Sequence, residues 1–504
     1  MRSSVPRKQI MARNIAIFSD GTGQRSGVTT EETQTNVFKL YRAARSGPDT
    51  AIDAREQFAF YDPGIGTLPP GLTTFGFLWR KLYNLVCQAT GLGLTKNIVD
   101  CYAAIIQNWR PDDRIFLFGF SRGAYTVRCL AAVLAHCGVP THGGDGAPLK
   151  RDSANARKIA HEAVTKVYQH VSSPRDSAYT GQRDLLAQRF RTKYGSDHGG
   201  ASNVYPHFIG VFDTVASVGS YGSLALVSGI FLVAAALLVL ALTFFFGGWK
   251  FWASAVVGAT ALGLFVAYLK THLKFAVGLP DTPVCKTVHL NALHMQFYDR
   301  RLNTNVGWAR HALAIDEHRA DFDRVAWGGA NDFRKTGPGE PVWLKQVWFA
   351  GNHADIGGGY RESESRLSDI SLEWMAHEAT SVPNGLKVDV AYLQSSPDPS
   401  GMQHDECRSS VFKFAKKLLR DINPEAPLHP TAIKRFDCPA VQNFDADAVY
   451  RPENLRHHKA VSARYDGDGP PENGVDPRLR PPSLPTNPGE PIAERPIAVP
   501  EGHL

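Results

Sequence analysis

The chain has 504 residues, 43% of them hydrophobic, with 55 Lys and Arg against 48 Asp and Glu, for a formal net charge of +7. A chain of this length can build a core without disulfides, and its seven cysteines form no C-x-x-C pair, which argues against a secreted disulfide scaffold and a zinc ribbon. The charge is small for the length and no long basic run occurs, so nucleic-acid binding has little support.

Met1–Arg13 is basic, lacks an apolar stretch and reads as a poorly ordered leader (1–13). Asn14–Phe18 (NIAIF) then reads as a buried strand ending in Ser19-Asp20-Gly21-Thr22-Gly23, a turn. Helical spacing covers Thr35–Ala44 and Thr95–Trp109, and Phe58–Tyr61 reads as a strand between them. Arg114–Phe120 (RIFLFGF) is a further buried strand, followed by a helix over Ala124–His136. Phe208–Phe212 and Val342–Phe349 are two more strand candidates. Strands alternating with helices predict an α/β fold, a mostly parallel sheet with helices on both faces.

From Thr214 to Trp249 no charged residue occurs, and after Lys250 a second uncharged run extends from Phe251 to Leu269. These runs predict a transmembrane helical hairpin inserted at 223–270, with Trp249, Phe251, Trp252 and Tyr268 as interfacial aromatics. A hairpin buried in a core is the alternative. Lys270 and Lys274 outside, against Lys250 in the turn, favour a cytoplasmic catalytic domain. Composition therefore divides the body into 14–222 and 271–440 and leaves 441–504 as a proline-rich disordered tail.

Gly119-Phe120-Ser121-Arg122-Gly123 is a G-x-S-x-G string placed between a strand and a helix, the setting of a nucleophile elbow. So tight a turn requires Gly119 and Gly123 to lack side chains, and the helix start offers N–H groups to an oxyanion. Serine needs a base and an orienting acid, which follow in the order acid then His in this architecture. Asp213 and His353 each stand after a strand, and His353 lies in a loop with Gly351 and Gly357-Gly358-Gly359. Asp213 also fits a plain helix N-cap. Gly21 and Thr22 offer a second oxyanion N–H, beside that of Arg122. The Arg122 side chain opposes the helix dipole. It is read as paired with Asp20 or Asp355, the alternative being an anionic substrate group.

The set FSDGTGQ, TNVFKLY, YDPGIGT, GFSRGAYTVR, GVFDTVAS, HALAIDEHR and FAGNHADIGGGY, spanning Asn14 to Glu378, resembles the catalytic domain of type VI secretion phospholipase effectors. That resemblance implies an α/β-hydrolase-like fold and cleavage of phospholipid acyl esters through a Ser-Asp-His triad. Carried over by motif, it makes Ser121 the nucleophile, Asp213 the acid and His353 the base, with no cofactor. Expected partners are a lipid acyl-ester substrate, the membrane, secretion machinery and an immunity protein, with export as an effector. Two other readings stand beside it. One is a metal-dependent phosphoesterase using Asp20, Asp213, His353 and Asp355, and the other a non-enzymatic, membrane-tethered interaction protein.

Overall fold

The computed structural model describes residues 12–21, 33–64, 92–215, 229, 236, 239–291, 302–322, 324–325, 327, 339, 341–408 and 416–465. The leader 1–11, Thr22 and residues 466–504 lie outside this set.

Six strands form one all-parallel sheet: β1 (Asn14–Ser19), β2 (Gln57–Asp62), β3 (Arg114–Phe120), β4 (Pro206–Phe212), β5 (Trp308–Ala314) and β6 (Leu344–Phe349). Their spatial order is β2-β1-β3-β4-β5-β6. The chain order reverses at β1, so the crevice beyond the carboxyl ends of β1 and β3 is where an open α/β sheet places its site.

Alternation along each strand sorts the core by chemistry. Ile15, Ile17, Ile115, Leu117, Ile209 and Val211 point to one face. That face is covered by α2 (Leu92–Asn108), α3 (Arg122–Cys137), α4 (Ser153–Glu162) and α5 (Thr180–Tyr194). Phe18, Phe116, Phe118, Phe208 and Phe212 point to the other, under α1 (Asn36–Ala44) and α8 (Arg366–Ser381). Phe18 stacks on Phe118 at 5.0 Å and Phe118 meets Phe208 at 5.5 Å, a row of rings running across three strands. Burying each such ring is worth about 1.5–3 kcal/mol.

β5 was not foreseen. Its apolar run is broken by Arg310 and His311, both fully buried. Arg310 is satisfied by Glu378 of α8 at 2.5 Å and by the Val342 carbonyl at 2.9 Å. Charge at these positions concealed a central strand.

Residues 441–465, assigned by composition to the tail, instead pack. Val441, Tyr450, Leu455, Val461 and Tyr465 join Ile422 and Phe436 in a third cluster against Leu313 and Trp348 of the sheet. The stretch just before it pairs with the sheet: the Trp348 N–H donates to the Pro427 carbonyl and the His429 N–H to that of Trp348, which covers the β6 edge.

The hairpin expected at 223–270 is not supported, because among the described residues no helix is long and apolar enough to cross a membrane. Much of its first arm lies outside the described residues, and 239–246 are helical. The second arm is α6 (Trp249–His272), one helix with Trp249, Phe251, Val257, Leu262 and Phe265 exposed.

Candidate active site

The carboxyl ends of β1, β3, β4, β5 and β6 carry the residues with chemistry. Ser121 sits between β3 and α3 at φ 56°, ψ −120°, a conformation that costs a non-glycine residue free energy and that a nucleophile elbow imposes. Two flanking glycines make the turn possible. A Cβ on Gly119 would stand 2.4 Å from the Gly123 carbonyl oxygen, and one on Gly123 would stand 1.9 Å from that of Ser19. The Ser121 N–H donates to the Phe212 carbonyl at 3.2 Å, tying the elbow to the end of β4.

Asp213 follows β4 and is fully buried, with its own N–H bonded to the Ala312 carbonyl. It is not a helix cap. Oδ2 lies 2.6 Å from His353 Nδ1, and Oδ1 accepts the Ala314 N–H at 3.1 Å. Arg420 meets both oxygens, Nη1 to Oδ1 at 2.6 Å and Nη2 to Oδ2 at 3.0 Å. Burial opposes ionisation of this carboxyl, but Arg420 and His353 outweigh it and hold it below the usual carboxylate range. Next to it, burial pushes His311 down to about 3, so the ring stays neutral and its Nε2 accepts the Thr214 N–H at 3.2 Å.

His353 opens the short helix α7 (His353–Gly357) after β6. Asn352 caps it, accepting from Ala354 and Asp355 N–H while Asp355 accepts from the Asn352 N–H, a reciprocal capping box. Asp316 and Glu317, just past β5, hold the same loop. Asp316 accepts the Gly351 N–H at 2.7 Å and the Tyr450 hydroxyl at 2.8 Å. Glu317 accepts the His353 N–H at 3.3 Å and pairs with Arg319 at 2.7 Å. The His353 ring lies against Phe120, 4.7 Å between centroids, and a Cβ on Gly357 would stand 1.9 Å from the Phe120 ring. Gly357 is therefore demanded by close approach to the residue before Ser121, whereas Gly351 is crowded by Asp355 and Gly358 by the backbone at Gln34–Asn36. Among the described residues, buried His353 Nε2, on the far side of the ring from Asp213, has no hydrogen-bond partner.

Other expected roles fare differently. Asp20, buried after β1, accepts the Gly21 N–H at 2.7 Å, the Thr35 hydroxyl at 2.5 Å and the Tyr61 hydroxyl at 2.7 Å. The Gly21 N–H is thus already donated, and Gly21 does not present it to an oxyanion in this structure. Burial still lifts the Asp20 carboxyl to about 6 against those donors. Asp355 is bound to His404 Nδ1 at 2.7 Å and to the His404 N–H at 3.0 Å. Arg122 consequently pairs with neither carboxylate. Among the described residues it has no ion-pair partner, and burial brings its guanidinium down to about 10.

The four residues of the metal reading are not assembled as a ligand set. Asp20 and Asp355 face separate donors, and Asp213 is gripped by a guanidinium, which a divalent cation would have to displace. Among the described residues no cluster of three or more His, Cys, Asp or Glu suits a metal. Arg420 and Glu317 were missed as site residues. Glu317 stood inside the HALAIDEHR motif, whereas Arg420 in KKLLRDIN carries no local signal.

The family described as T6SS, Phospholipase effector Tle1-like, catalytic domain matches residues 13–235 and 270–378. Its gap covers most of α6, and its end precedes Arg420. The uncharacterized protein YEL023C of Saccharomyces cerevisiae is 31% identical over 212 residues, 41% of this chain and 27% of that protein. Among solved structures, an uncharacterized protein from Pseudomonas aeruginosa is 18% identical with a TM-score of 0.32, covering 76% of this chain and 47% of that one. The Tle1 effector bound to the VgrG spike from the type 6 secretion system is 16% identical with a TM-score of 0.26, covering 71% and 53%. The chain thus spans about a quarter of the yeast relative and about half of each solved structure. With the matched segments spanning more than half of its length, the chain belongs to the Tle1-like phospholipase effector family through that family's catalytic domain.

Proposed function

We propose that the protein is a serine hydrolase cleaving acyl esters of phospholipids, with Ser121 as nucleophile, His353 as general base and Asp213 as orienting acid. The observation that carries this reading is the 2.6 Å bond from His353 Nδ1 to Asp213, which leaves Nε2 buried and, among the described residues, unpartnered beside the elbow of Ser121. An imidazole held through Nδ1–H by a carboxylate presents Nε2 as the acceptor, the tautomer a serine base requires.

In the acylation step Nε2 takes the Ser121 proton as Oγ attacks the ester carbonyl. The developing oxyanion meets the Arg122 backbone N–H at the start of α3, where the first-turn donors have no intrahelical acceptor. His353 then returns the proton to the departing lysolipid oxygen. Water, activated by the same nitrogen, hydrolyses the acyl-enzyme to free fatty acid and restores Ser121.

Family membership supports lipid as the substrate class and delivery as a type VI effector as the biological setting. The test is covalent labelling by a fluorophosphonate with excess EDTA present. Label on wild type that Ser121→Ala abolishes supports the serine reading; label retained by that variant refutes it.

A further inference from the structure

Asp213 is gripped from two sides, by His353 and by a residue outside the segments that match the family. Arg420 is buried and spreads its guanidinium over both Asp213 oxygens, at 2.6 and 3.0 Å. The same two nitrogens donate to the Ala314 carbonyl at 3.0 Å and the Phe322 carbonyl at 2.7 Å. Four contacts fix the plane of the fork, so the group is placed rather than merely attracted. The segment that delivers it runs on to cover the β6 edge through Pro427 and His429.

We propose that Arg420 is a positioning residue of the hydrolase, supplying the permanent counter-charge that keeps Asp213 ionised and aligned while leaving His353 free to be neutral. The inference rests on the triad reading above. A carboxylate buried this deeply needs a cation. Were the imidazole its only partner, the pair would favour protonated His353, which cannot act as a base. A guanidinium does not release its proton, so it provides that charge at every working pH. Lysine would carry the charge but not the fork. Among the described residues, the other charged or titratable groups around the pair include Glu317, itself paired with Arg319, and neutral His311, beyond which stand Arg128 and Arg324.

The experiment follows the His353 imidazole by NMR in histidine-labelled Ser121→Ala protein, the signal being identified by its loss in His353→Gln. Arg420→Met is expected to raise the titration midpoint by about one to three units, and Arg420→Lys to recover part of that shift. In protein that retains Ser121, the acidic limb of kcat/KM moves upward by the same amount and kcat falls more than KM changes. A folded Arg420→Met protein with an unmoved midpoint overturns the proposal. If that variant does not fold, Arg420→Gln is read the same way. Because the titration needs no turnover, failure of the hydrolase reading, seen as no labelling of wild type by fluorophosphonate, is distinguishable from failure of this one.

Discussion

His353 Nδ1 and Asp213 Oδ2 are 2.6 Å apart although 140 residues separate them in the chain. They meet because β4 and β6 run parallel with β5 between them, so both strands release their chains at the same sheet edge. Asp213→Asn keeps the shape but offers an amide where Nδ1–H needs an acceptor, and it removes the charge facing Arg420. Loss of kcat by about 10⁴ is expected, with KM little changed. The variant should also lose about 3–5 kcal/mol of stability, since a buried guanidinium is left unneutralised. Steady-state kinetics and urea unfolding check the two parts separately.

Gly123→Ala sets a methyl 1.9 Å from the Ser19 carbonyl oxygen, a backbone atom that cannot move without shifting the end of β1. A cost of about 1–3 kcal/mol is expected, together with loss of Ser121 labelling. Gly181→Ala near the start of α5 meets nothing within 4 Å and serves as the control, neutral or slightly stabilising. Equal urea midpoints for the two variants would show that the elbow is not this tightly packed.

These positions also show what could be read in advance. Ser121, Gly119 and Gly123 were legible because the elbow is local: an apolar strand, a short string and a helix in sequence. The His353 loop stood out through its glycines, of which Gly357 is where α7 packs against Phe120. Arg420 was not, since its role exists only where a distant segment crosses the ends of β4 and β5. Composition also misled where it averaged over geometry. Tyr450 and Tyr465, in the stretch given to the tail, are buried core residues.

Asp20 supplies a pH test. Its carboxyl is lifted by burial from 3.8 to about 6 in the folded protein, so between those values the native state binds more protons than the unfolded state. The stability associated with protonated Asp20 is therefore present below about pH 4 and lost as pH rises through about 6, by up to roughly 3 kcal/mol. Asp62, also lifted to about 6 by burial, acts in the same direction. Asp20→Asn cannot ionise. Whatever constant offset the amide adds, wild-type stability minus variant stability should fall between pH 4 and pH 7. Urea midpoints across that range check it, and a flat difference would show that the raised value is not real.

The decisive measurement is release of fatty acid from liposomes of defined phospholipid, followed by mass spectrometry for wild type and Ser121→Ala. Wild type should yield free fatty acid and lysophospholipid in equal amounts, and Ser121→Ala should lower the rate about 10³-fold or more. Equal rates for the two proteins, or no fatty acid from wild type on any phospholipid, would contradict a Ser121-dependent lipid hydrolase.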